Sequence, residues 1–115
     1  MAETIFKPEE CEVVSFAPLA TIGGSGITRR TLLATSGGKV VLFSLDAGQE
    51  IAEHTNPNHA LIQVLTGSLN LVLDGKRRVL GQGELLHMPP QLPHALRANG
   101  STSFLLTLLS PVTNP

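Results

Sequence analysis

The feature that most constrains this chain is the regular return of turn-forming residues. Gly-Gly-Ser-Gly at 23–26, Gly-Gly at 37–38, Gly48, Asn56-Pro57-Asn58, Gly67, Asp74-Gly75, Gly81 with Gly83, Pro89-Pro90 and Asn99-Gly100 punctuate it. Most intervals are about 8 to 12 residues, the spacing at which β-sandwiches and barrels pass from strand to strand. Between these signals lie short segments rich in Val, Leu, Ile and Thr: KVVLFSL, ALIQVLTG, SLNLVLDG, RRVLG, ELLHM and SFLLTLL. No window keeps a 3.6-residue apolar period over three turns, so the expected fold class is all-β. Leu69, Leu71 and Leu73 alternate with Ser68, Asn70 and Val72, and Asp74-Gly75 follows. That pair suits the two positive-φ positions of a type I′ hairpin turn.

With 115 residues and 42% hydrophobic content, the chain can bury one core, so residues 1–115 are read as one domain. A formal net charge of -1, with Lys76-Arg77-Arg78 as the densest basic run, gives no general attraction to nucleic acid or to an acidic membrane. Apolar runs such as Phe104-Leu105-Leu106 fall far short of the roughly 20 residues of a spanning helix. The lone Cys11 cannot form an intrachain disulfide, and MAETIFKPEE shows neither a basic leader nor an apolar signal core, so a cytoplasmic location is expected. The Gly-rich 23–26 segment lacks the following Lys-Ser or Lys-Thr of a phosphate loop and reads as a connection. The serines stand in no nucleophile-elbow pattern, which argues against serine-hydrolase chemistry.

The chemistry-bearing residues gather in two stretches. EHTNPNH sets His54 and His59 on either side of a turn, and in HMPPQLPH the prolines 89, 90 and 93 impose an extended, rigid approach to His94. From Gly83 the second stretch runs five residues to Pro89 and then through a short turn to His94, which resembles the second motif of the cupins. In the first, Gly48 is followed after five residues by His54 and closed by Gly67, which resembles the first cupin motif. The motifs span about 48–67 and 83–98, and the wider run is similar to small single-domain bacterial cupins. The resemblance implies a double-stranded β-helix, or jelly roll, that pairs into a homodimer. It also implies that His54 and His94 are metal ligands. The chain departs from the family pattern at four places: Asn56 and Ala60 occupy the slots of the second histidine and the glutamate, Gln91 replaces a glycine, and Ala98 replaces an asparagine.

Two imidazoles are fewer than the three or four protein ligands of an ordinary transition-metal site. His59 is the nearest further donor, giving an expected metal set of His54, His59 and His94, with Gln63, His87 and Asn56 as candidate cavity-lining residues. The family register points position 60 inward, whereas a one-residue slip or bulge would turn His59 and Gln63 inward together. Glu50 and Glu53 read as solvated carboxylates. Arg29-Arg30 reads as edge protection, with anchoring of an anionic substrate as the alternative. The expected cofactor is a divalent transition metal (Fe, Mn, Ni or Zn), and the expected partners are a small-molecule ligand or substrate and a second copy of the chain. Whether the protein is an enzyme stays open, and no catalytic residue is named. A non-catalytic ligand-binding cupin and a metal-free interaction module are the alternatives, because a fold does not specify a reaction.

Overall fold

In a computed structural model, which describes residues 4–20 and 26–111, the chain forms nine strands and one short helix among the described residues. Helix α1 is Phe16–Leu19, and the strands are β1 Ile27–Thr35, β2 Gly38–Leu45, β3 Glu50–His54, β4 His59–Thr66, β5 Ser68–Leu73, β6 Lys76–Gly81, β7 Leu85–Met88, β8 His94–Ala98 and β9 Thr102–Leu109. Each of the six apolar segments expected to be extended is a strand or the body of one. All pairings are antiparallel. They build a five-stranded sheet in the order β1-β2-β9-β4-β7 and a four-stranded sheet in the order β3-β8-β5-β6. Of the Gly-rich 23–26 segment, only Gly26 lies among the described residues.

The two sheets close on each other because each carries one apolar face. In β4 the buried positions are Ala60, Ile62 and Val64, and in β5 they are Leu69 and Leu71, the two-residue alternation of a half-buried strand. Val41, Phe43, Phe104 and Leu108 from the larger sheet join Leu80, Leu96 and Ala98 from the smaller in one core. Phe43 and Phe104, opposite each other on β2 and β9, stack with ring centroids 4.9 Å apart. Asp74 and Gly75 join β5 to β6 with φ of 50° and 81°, the positive values a type I′ turn requires at both positions.

The junction between β4 and β5 is tighter. Gly67 has φ 81°, and a Cβ there would stand 2.5 Å from the Ser101 carbonyl oxygen and 2.5 Å from Thr102 Oγ1. Gly75 has the same φ of 81° but nothing within 4 Å of its Cβ position. Both alanine variants therefore incur the left-handed backbone cost of about 1–2 kcal/mol, and only Gly67→Ala adds an overpacking cost of about 1–3 kcal/mol. In urea unfolding, Gly67→Ala should lower the midpoint clearly more than Gly75→Ala. Equal midpoints would mean the β4–β5 junction opens to accept a methyl group.

Candidate functional site

The site begins with a defect in β3. Ile51 pairs with Leu96, yet His54 pairs with His94, so three residues of β3 span two of β8. The extra residue is a β-bulge. Without it, His54 would share parity with Ala52 on the face opposite Ile51, and the bulge turns it back beside His94. The two imidazoles lie with centroids 4.1 Å apart and planes tilted by 59°. His94 is buried, with 8% of its surface exposed, while His54 is exposed, so the pair has one wall in the core and one open to solvent.

Each ring is held the same way. His54 Nδ1 lies 2.9 Å from the Ala52 carbonyl oxygen, and His94 Nδ1 lies 2.8 Å from that of Leu92. A carbonyl can only accept, so a neutral ring in this arrangement carries its proton on Nδ1 and leaves the Nε2 lone pair bare. No protein group among the described residues hydrogen-bonds either Nε2. This backbone anchoring through the other nitrogen is how metal-binding histidines are oriented. The approach to His94 is fixed further by Gln91, whose N–H donates to the Asn56 carbonyl at 2.7 Å and so ties the two histidine-bearing loops together. Gln91 has φ 68°, which explains why the cupin pattern carries glycine at this place.

The remaining expected site residues lie elsewhere. Ala60 is buried at 3% exposure, so β4 keeps the register that points position 60 into the core and His59 away from it. His59 meets His87 of the neighbouring β7, Nδ1 to Nε2 at 3.0 Å, with ring centroids 5.2 Å apart. His87 and Gln63 are both exposed, at positions alternating with buried Met88 and with Ile62 and Val64. Asn56 shapes the turn itself, its Oδ1 accepting from the Asn58 N–H at 2.8 Å. The structure thus brings His54 and His94 together and sets His59 against His87. Among the described residues no three of His, Cys, Asp and Glu gather in a group able to hold a metal ion. The residues that sequence reasoning passed over are Ala52 and Leu92, which act through their carbonyls. Their signal is positional, since each stands two residues before a histidine.

Comparison with known proteins agrees with this architecture. The family model described as the Cupin domain matches residues 41–110, from β2 through the end of β9. The chain belongs to the cupin family. A conserved protein of unknown function from Streptococcus pyogenes superposes on this cupin with a TM-score of 0.81 at 29% identity, over 96% of this chain and 97% of the other. A cupin superfamily protein from Desulfitobacterium hafniense gives 0.80 at 18% identity over 96% and 98%, a likeness of fold alone. KdgF from a Halomonas species gives 0.68 at 25% identity over 82% of this chain and 86% of that one. No curated protein matches the chain. No described helix of this cupin is long and apolar enough to cross a membrane.

Proposed function

We propose that this cupin binds a divalent transition metal, one of Fe, Mn, Ni or Zn, between His54 and His94, and uses the site to hold a small oxygen-bearing organic molecule. The observation that carries the reading is the matched anchoring of the two rings, Nδ1 to a backbone carbonyl in each and Nε2 left bare, across a bulge that exists at the one place needed to pair them. The donor set fits such a metal in kind, since neutral imidazole nitrogen suits all four ions. It supplies two donors, so the organic molecule would complete the coordination. A bound ion would supply charge that polarises the ligand's oxygen. The protein's own part is to fix both rings before the ligand arrives and to seat one edge of it against buried His94. His59 stands outside this reading because its Nδ1 faces His87.

Equilibrium dialysis under anaerobic conditions, with each of the four ions in turn at neutral pH, tests the proposal. One equivalent of at least one ion should bind. Binding should weaken as pH falls, because a proton and a metal compete for the same lone pair. The chain has no Trp or Tyr, so optical bands of an open-shell ion stand clear of protein absorption. If none of the four binds, the second reading takes its place: a non-catalytic cupin that captures an organic ligand without metal. One observation favours it, namely that the two customary ligand slots hold Asn56, whose Oδ1 is engaged in its own turn, and core-buried Ala60.

The same proposal includes a homodimer formed through the outer face of the five-stranded sheet. Leu85 is 64% exposed and Leu109 45% exposed, and the register puts them on one face with Leu61, Leu105 and Thr107. Leucines at these positions need cover that a monomer does not supply. Sedimentation equilibrium at high micromolar concentration should show twice the 12.2 kDa chain mass, and Leu85→Asp should shift the population toward monomer. A wild-type monomer at that concentration would remove the dimer from the proposal.

A further inference from the structure

The outer face of the four-stranded sheet, on the side away from the core, carries a groove of about 610 Å³ that the histidine pair does not enter. Outward positions of an antiparallel sheet are ordinarily polar. Here the register lays out two cross-strand rows. One reads Glu50, Arg97, Asn70 and Val79, and the next contains Ala95, Val72 and Arg77. The middle of the face is therefore made of small or apolar side chains, Ala95, Val72 and the 67% exposed Val79, where the opposite face of the same strands presents leucines to the core. Small side chains between long ones make a floor with walls, and this volume lies within the roughly 300–1,000 Å³ range of small-molecule sites.

The walls are basic. Arg97 is cross-strand from Glu50, but the pair is 4.0 Å apart with both side chains more than half exposed, a contact that leaves the guanidinium largely free. Its Nη2 rests near Gly48, at the β2–β3 end of the groove. Arg77, on edge strand β6 at the diagonally opposite corner, has no carboxylate partner among the described residues. Asn70 lies between them. Its amide is fixed by exchanging hydrogen bonds with Asn99, which also donates to Ser68 Oγ at 3.1 Å.

The geometry points to a binding site for a small organic anion with a flat apolar body. Its carboxylate meets the Arg77 guanidinium, the body lies on Val72, Ala95 and Val79, and Arg97 with Asn70 receives a second polar group at the far end. Three lining arginines, Arg77, Arg78 and Arg97, against the one carboxylate of Glu50 decide the sign of the ligand, and the apolar floor distinguishes an organic anion from an inorganic one. The site is separate from the His54–His94 pair, which faces the other side of the same sheet.

Nuclear magnetic resonance titration of ¹⁵N-labelled protein with sodium benzoate, and in parallel with benzyl alcohol and with inorganic phosphate, tests this assignment. Benzoate should move the backbone amides of Asn70, Val72, Arg77, Ala95 and Arg97 in a saturable way, with the two control compounds clearly weaker. Arg77→Gln should weaken benzoate about tenfold, the scale of one charge-assisted hydrogen bond, and Ala95→Leu should block it by filling the floor. Both changes are on the outer face, and the spectrum of each variant reports directly whether it is folded. Phosphate as strong as benzoate, no saturable shift at these amides, or benzoate binding unchanged in Arg77→Gln would each overturn the assignment. Shifts at these amides on simple dilution would also overturn it, by showing that this face is a contact between copies. Shifts confined to residues around His54 and His94 would locate benzoate at the barrel site instead and equally reject the groove.

Discussion

His54→Ala and His94→Ala should each abolish the one equivalent of metal proposed to bind the wild-type protein at neutral pH, while His59→Ala should leave it intact. The expected loss is complete because the pair supplies only two protein donors, and a single anchored imidazole holds a divalent ion too weakly to survive dialysis. The histidines differ in what else they do. His54 is exposed, so its removal should leave the urea midpoint within experimental error of wild type. His94 is buried, and its alanine variant leaves a small cavity and an unpaired Leu92 carbonyl, so a cost of about 1–2 kcal/mol accompanies the lost metal. The control matters because His59 and His87 form a second pair of imidazoles, with nitrogens 3.0 Å apart on the far side of β4 from the core. Metal that persists in His54→Ala and disappears in His59→Ala would place the ion on that outer pair and refute the site at His54 and His94.

Much of the fold was legible because it is written in short-range chemistry. The β5–β6 hairpin is specified by three alternating leucines and a dipeptide that tolerates positive φ, and both signals act within a dozen residues. Strands β1, β3 and β8 carried no such apolar run. EIAEH and HALRA are charged or small on the outward positions, ITRRTLLAT sets two arginines side by side, and all three are extended because neighbours pair with them rather than because of their own pattern. The site was legible only in part. His94 followed from proline placement, which limits the backbone locally. The pairing of His54 with it depends on a bulge in β3, and nothing in EIAEH marks where an extra residue will be absorbed. The sequence leaves open a one-residue slip or bulge that would turn His59 and Gln63 inward. The structure places one before His54 instead, and Ala60 stays in the core. The outer groove was invisible for a related reason. Ala95, Val72 and Arg77 come from three strands, and only the cross-strand register makes them neighbours.

Phe104→Ala should be the most destabilising single truncation in the molecule, by about 3–5 kcal/mol. Phe104 is 1% exposed, stands on the central strand of the five-stranded sheet between β2 and β4, and stacks on Phe43 with the planes 3° from parallel. With four phenylalanines and no Trp or Tyr in the chain, few other side chains match its volume, so the cavity left behind cannot be filled by a neighbour changing rotamer. A domain of this size is held by about 5–15 kcal/mol, so the loss would leave the variant near or beyond the limit of folding at ambient temperature. Phe104→Leu keeps most of the volume and should cost about 1–2 kcal/mol, which keeps the measurement within reach if the alanine variant does not fold. Phe16→Ala provides the contrast, since Phe16 is 43% exposed on the short helix and its removal should cost less than about 1 kcal/mol. The variants are compared by urea unfolding of metal-free protein, so that no binding free energy enters the difference. A Phe104→Ala variant as stable as Phe16→Ala would show that the core between the two sheets does not depend on the Phe104 ring stacked on Phe43 within the five-stranded sheet. The layered core that seats His94 would then need a different physical account.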